Sequence, residues 1–129
     1  NRLTGVGDAR VVATTDSATS GTVLNLNDQG FEFPDQTLTV LRMRAWGRGA
    51  DATEAQYIER IALVLGQPTT PVVANATAVS ADAGTVAGTL TCAVVSDEVT
   101  VALVGQASQD MNWIVEVNLD EPVYIAKGS

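Results

Sequence analysis

Histidine is absent from this 129-residue chain, and cysteine occurs once. The missing histidine excludes a histidine general base, a Ser-His-Asp triad and a histidine metal ligand. A single cysteine excludes an internal disulfide and a zinc site built from several thiolates. Charged residues make up only 17% of the chain and hydrophobic residues 46%, which argues against disorder. We predict no enzyme, no catalytic residues, no bound metal and no cofactor.

β-Branched residues are abundant, with 18 valines, 15 threonines and four isoleucines. Such residues favour strands, whereas a helix bundle would contain more leucine, glutamate and lysine. The length fits one domain with a single core. We expect residues 1–10 to form a linker or N-terminal arm and residues 11–129 to form a single β-sandwich domain. The chain begins at Asn1 rather than methionine, so we expect a piece of a longer polypeptide.

The net charge of −8 comes from seven basic and 15 acidic residues. Residues 1–60 contain all six arginines, whereas residues 61–129 contain seven acidic residues and Lys127. A negative surface repels phosphate backbones, so we expect no nucleic-acid partner. No apolar run approaches the roughly 20 residues of a membrane span, so we expect no membrane insertion.

Alternating apolar and polar residues recur every 10–12 residues or so, separated by Gly, Pro, Asp and Asn. This spacing predicts an all-β fold, an antiparallel β-sandwich of eight to nine strands that is jelly-roll-like. The clearest alternation covers residues 85–95, 99–105 and 113–119. It predicts seven core residues: Leu90, Cys92, Val101, Leu103, Trp113, Val115 and Val117.

Residues 37–48 predict a long strand whose apolar positions change phase. Leu38 and Val40 are apolar at even positions, and Leu41 and Met43 at odd positions, which predicts a β-bulge at 40–41. After a turn over 47–53, residues 54–65 predict a returning strand. A helix also fits the period of their apolar residues, although the β-branched content favours the strand.

Three arginines and a tryptophan recur at two-residue steps, which places them on one face of a strand. Guanidiniums around an indole can stack on bases, on a sugar ring or on an acidic glycan. If the protein recognises a receptor, we predict that these residues form the receptor-binding surface. The alternative is that the arginines pair with acids of a neighbouring strand, such as Glu54 and Glu59, or with a neighbouring subunit. The candidate residues are Arg42, Arg44, Trp46 and Arg48, with Tyr57 across the hairpin.

Other candidate sites have simpler structural explanations. Residues 25–30 have the glycine of a calcium loop but neutral side chains at the ligand positions, which indicates a turn. Cys92 lies among predicted core residues and is expected to be a buried hydrophobe. Aspartates in predicted turns are expected to bond locally rather than to form a catalytic pair. They are Asp82, Asp97, Asp110 and Asp120.

From about residue 22 onward, a basic strand, a short acidic turn, a returning strand and a closing tryptophan strand follow in order. The segments are 22–26 (TVLNL), 33–37 (FPDQT), 42–48 (RMRAWGR), 51–55 (DATEA), 81–84 (ADAG), 99–105 (VTVALVG) and 111–117 (MNWIVEV). This order resembles the C-terminal β-sandwich module of phage tail fibre and tailspike proteins.

The resemblance implies a non-enzymatic virion protein that assembles as a homotrimer in the host cytoplasm and lies at the phage particle surface. Its implied partners are other virion proteins and a bacterial cell-surface glycan. Two other interpretations remain open from the sequence. One is a capsid decoration or head-fibre protein, and the other is a secreted carbohydrate-binding or adhesin module.

Overall fold

Antiparallel strands joined by turns make up the computed structural model, which describes residues 7–16, 20–51, 53–75, 83–84, 88–105 and 109–126. The predicted all-β antiparallel sandwich is confirmed. Within these ranges there are ten strand segments, of which β6 and β10 have two residues each. The strands are β1 (Gly7–Asp16), β2 (Ser20–Asn25), β3 (Thr37–Gly49), β4 (Ala55–Leu65), β5 (Val72–Asn75), β6 (Ala83–Gly84), β7 (Thr89–Val95), β8 (Glu98–Val104), β9 (Asp110–Leu119) and β10 (Val123–Tyr124). In the described part of the chain, no helix is long and apolar enough to cross a membrane.

The two sheets differ in width. The larger has the strand order β1-β9-β3-β4-β5, with β10 beside β3 and β6 beside β4, and the smaller has the order β2-β8-β7. Their inner faces share one hydrophobic cluster, in which Trp113 is the largest fully buried side chain. The Trp113 indole N–H donates to Thr15 Oγ1 at 3.0 Å, so its polar atom is satisfied. All seven core residues predicted from the alternation are buried.

The β3–β4 hairpin corrects one prediction and confirms another. The bulge at 40–41 is wrong, because β3 pairs with β4 without a register shift from Leu38 opposite Leu65 to Arg48 opposite Ala55. Leu38 and Val40 instead lie on the outer face, half-buried. The N-terminal end of β3 is apolar on both faces. The change of phase in the sequence therefore does not require the extra residue of a bulge. Residues 55–65 form the predicted strand, and the helical alternative does not hold.

Some element boundaries also differ from those predicted. Strand β1 begins at Gly7, so residues 7–10 pair with β9 rather than lying in an N-terminal arm. Ala9 is buried, which explains why this glycine-rich stretch still joins the sheet. The predictions for residues 1–6, 76–82 and 85–87, including the turn at Asp82, lie outside the described residues. The division into an arm and one domain stays a prediction.

Two amide side chains join the edge of the smaller sheet to the larger one. The Gln56 amide donates to the Gly88 carbonyl at 2.9 Å and accepts from the Gly88 N–H at 2.7 Å. The Asn75 amide makes the same pair of bonds with the Cys92 carbonyl at 2.7 Å and N–H at 3.0 Å. These side chains take the place of a neighbouring strand at Gly88 and Cys92, so the backbone groups of these two residues are satisfied.

Candidate functional site

The outer face of the larger sheet carries the predicted receptor-binding residues. The alternation of β3 turns Arg42, Arg44, Trp46 and Arg48 to one side, while Leu41, Met43 and Ala45 fill the core on the other. The hairpin register sets Tyr57 directly opposite Trp46. Their ring centroids are 5.6 Å apart with the planes inclined by 47°. The structure therefore brings all five residues onto the same face.

Two rows of side chains cross four strands at this place. The first row alternates in charge, because Arg10 on β1, Glu116 on β9, Arg44 on β3 and Glu59 on β4 are register partners. The neighbouring row is apolar and aromatic. Directly opposed side chains on one sheet face lie close enough to interact. This second row consists of Val12, Ile114, Trp46 and Tyr57.

Two guanidiniums lie over the Trp46 indole. The Arg44 guanidinium carbon is 5.1 Å from the ring centroid and that of Arg10 is 5.9 Å away, both within the range of a cation–π interaction. Arg10 was not predicted from the sequence, because its segment was assigned to an arm. The alternation of Ala9 and Val11 with polar residues could have indicated a strand here. It contains no information that this strand lies beside β9.

Two of the three arginines of β3 form ion pairs with acidic side chains. Arg44 pairs with Glu116, and this hydrogen bond raises the pKa of the guanidinium. Arg42 pairs with Asp120 at 3.4 Å, and both side chains are more than half exposed. The sequence suggested Glu54 and Glu59 as partners, but the Glu54 carboxylate accepts from the Asp51 N–H inside the hairpin turn at 2.8 Å.

Glu59 lies two residues from Tyr57 on the same face of β4. Its carboxylate accepts the hydroxyl of Tyr57 at 2.7 Å, although it also lies opposite Arg44 in the register. Burial, followed by this hydrogen bond, raises the pKa of Tyr57. The tyrosine therefore stays a neutral donor, and its ring is fixed beside Trp46.

Arg48 lies apart from these ion pairs, at the turn end of the face. It is exposed and lines a cavity of about 410 Å³ with Thr14, Asn112, Asp16 and Asp110. The Asp16 and Asp110 carboxyls are register partners and are hydrogen-bonded to one another, which raises the pKa of Asp16. This pair was not predicted, because Asp110 was expected to lie in a turn and to bond locally.

The aspartates do not bond locally as predicted, because Asp97 accepts from the Thr70 hydroxyl at 2.6 Å, Asp110 lies in β9 opposite Asp16, and Asp120 pairs with Arg42.

The other two candidates, the turn at residues 25–30 and Cys92, have the roles expected of them. The Asn25 side chain accepts from the Asp28 N–H at 3.1 Å and that of Asn27 from the Val99 N–H at 2.8 Å, so both amides stabilise the turn. Cys92 is buried, and burial raises the pKa of its thiol to about 12. Across the described ranges, no group of three or more Cys, Asp or Glu side chains is placed to hold a metal ion.

Comparisons with known proteins give no family. No protein-family model and no curated protein matches the chain. Among solved structures, the chain is similar to the tailspike protein of Acinetobacter baumannii phage AM24, with 10% identity and a TM-score of 0.46 over 95% of this chain and 27% of the tailspike. It is also similar to the tailspike of Acinetobacter baumannii bacteriophage Fri1, a capsular polysaccharide depolymerase, with 12% identity and a TM-score of 0.40 over 96% and 22%. The chain thus spans about a quarter of each tailspike.

Proposed function

We propose that this chain is a non-enzymatic structural module of a phage tail fibre or tailspike, which forms a homotrimer at the virion surface and binds a bacterial surface glycan. The virion location and the trimer rest on the order of sequence motifs that resembles such modules. A non-enzymatic role is supported by the lack of histidine and by the burial of the single thiol. The glycan site is supported by the geometry of the outer face.

One observation carries the glycan site: Trp46 lies in contact with Tyr57 and beneath two guanidiniums, on a face where no strand covers it within the described residues. Indole and phenol rings offer a flat apolar surface to the C–H groups of a sugar ring, while their polar atoms and the nearby arginines meet its hydroxyls. The row from Val12 to Tyr57 crosses four strands, a span of about 14 Å that can hold an extended saccharide.

The arginines have different roles in this proposal. Arg44 is held against Glu116, so it orders the Trp46 ring and donates its remaining N–H groups to sugar oxygens. Arg42 is similarly engaged by Asp120, though both remain exposed. Arg48 lies beside a cavity, two residues along β3 from Trp46, where its guanidinium can donate to the carboxylate of an acidic sugar.

The test is binding to an array of bacterial capsular polysaccharides in which half contain uronic acids. We expect the protein to bind a subset of them and Trp46→Ala to weaken that binding by about tenfold or more, as for a central aromatic contact. Arg48→Gln is expected to weaken binding of the uronic-acid polysaccharides and to leave the neutral ones unaffected.

The matched control is Val95→Ala, which removes an exposed apolar side chain from the smaller sheet. It is expected to bind as the parent protein does. The glycan site is wrong if no polysaccharide binds, or if Trp46→Ala and Val95→Ala bind equally well.

A further inference from the structure

The end of the β3–β4 hairpin farthest from its turn is apolar on both faces. On the inner face, Leu41, Ala62 and Val64 are fully buried against the smaller sheet. On the outer face, apolar side chains of β10, β3, β4 and β5 lie side by side. We call six of them the outer apolar patch: Leu38, Val40, Leu63, Leu65, Val72 and Val123.

The two outermost residues of this patch are open to solvent. Val72 is 50% exposed and Val123 is 56% exposed, while the others are half-buried by their neighbours within the sheet. Strands that are apolar on both faces belong to sheets that are covered on both sides. The smaller sheet covers only the inner face of this hairpin. We therefore expect another layer to cover its outer face.

The residues of the patch are arranged symmetrically about the line between β3 and β4. The terminal row is Val123, Leu38, Leu65 and Val72 in spatial order, so each half carries a leucine near the centre and a valine outside it. The next row has Val40 and Leu63 on either side of the same line. The β3 half of one copy therefore matches the β4 half of another when the two are related by rotation about an axis parallel to the strands.

Charge restricts where two copies can meet. The chain has a net charge of −8, so two copies repel one another over most of their surface. None of the six patch residues is charged, and the adjacent ion pair of Arg42 and Asp120 is exposed enough for each member to meet the opposite charge on a neighbouring copy. We propose that copies of this chain associate through the outer apolar patch.

This inference rests on the self-association in the proposed function and locates its interface. The glycan site stays open in such an assembly, because Trp46 lies six residues along β3 from Val40, a distance of about 20 Å. Any rotation about an axis parallel to the strands, including that of a trimer, can bring the two halves of the patch together.

The experiment measures molar mass by light scattering over a range of protein concentrations. We expect the parent chain to form an oligomer, and Leu38→Lys combined with Leu65→Lys to give a monomer of 13.4 kDa. The aliphatic part of lysine can lie along the sheet while its charge opposes association. Val72→Lys, at a more exposed position, keeps the test decisive if the double variant fails to fold, and is expected to raise the dissociation constant at least tenfold.

The matched control is Val12→Lys, which places the same charge at a 74% exposed position on the same face, outside the patch. It is expected to keep the parent mass. An oligomer that survives both patch changes overturns the interface but not the proposed self-association. A parent chain that is monomeric at high micromolar concentration overturns both. Polysaccharide binding by the monomeric variant tests the glycan site separately, because that site lies outside the patch.

Discussion

Gly47 on β3 lies directly against the Trp113 indole on β9. A β-carbon at position 47 would lie 2.7 Å from both Cε3 and Cζ3 of that ring. The two residues are register partners, and the space that a side chain at 47 would fill is occupied by the largest buried side chain of the core. Strand β3, which carries the arginines on its outer face, can therefore lie flat over the core only because Gly47 has no side chain.

We expect Gly47→Ala to lower the free energy of unfolding by about 1–3 kcal/mol, the usual cost of overpacking a core. Urea denaturation followed by tryptophan fluorescence measures this effect. Gly21→Ala is the matched control, since a β-carbon there would meet no atom of the described residues within 4 Å. Equal stabilities of the two variants would mean that the ring moves aside freely.

The amide of Asn75 is predicted to stabilise the edge of the smaller sheet. Asn75→Ala removes the partners of both the Cys92 N–H and the Cys92 carbonyl. Because water can reach an edge strand, we expect a loss of about 1–2 kcal/mol, at the lower end of the cost of unpaired backbone groups. Asn112→Ala on the exposed outer face is the control and is expected to denature at the parent urea concentration.

The sequence predicted the sandwich because the apolar residues that alternate along β7, β8 and β9 identify its inner face. Alternation failed in the β3–β4 hairpin. Leu38 and Val40 are as apolar as Leu41 and Met43, so the sequence alone cannot distinguish a bulge from a strand that is apolar on both faces. The straight register of the hairpin decides between them.

The candidate site was predictable where it lies on one hairpin and unpredictable where it crosses to other strands. Arg44 and Trp46 share a face by spacing alone, and the hairpin turn brings Tyr57 opposite. Arg10 and Glu116 join them through the pairing of β9 with both β1 and β3. That pairing joins segments that are far apart in the sequence, with Arg44 and Glu116 separated by 72 residues, and local periodicity contains no information on which strands become neighbours.

The Cys92 thiol is expected to be unreactive in the folded protein. With a pKa raised to about 12 by burial, only about one thiol in ten thousand is ionised at pH 8, and the thiolate is the reactive form. Iodoacetamide labelling followed by mass spectrometry should show little modification until urea unfolds the chain. Faster labelling of Asn75→Ala than of Asn112→Ala would show that the amide bonds protect this edge, and rapid labelling of the folded parent would contradict its burial.

The Asp16 and Asp110 carboxyls lie opposite one another on β1 and β9. The hydrogen bond between them, followed by their charge repulsion, raises the pKa of Asp16 above its ordinary value of 3.8. Between 3.8 and that raised pKa, the folded state binds more protons than the unfolded state, so stability falls as the pH rises through this window. The favourable contribution of the raised Asp16 pKa is fully present below pH 3.8 and is lost as the pH rises through that raised pKa.

Replacing one carboxyl by an amide removes the repulsion and keeps a hydrogen-bonding side chain. We therefore expect Asp16→Asn to have a higher Tm than the parent at pH 7, and the difference to shrink as the pH falls below 3.8. Circular dichroism melts across this range measure both quantities, with Asp28→Asn in an exposed turn as the control for loss of one negative charge. A Tm difference that is the same at every pH, or equal for the two variants, would show that the two carboxyls are not coupled.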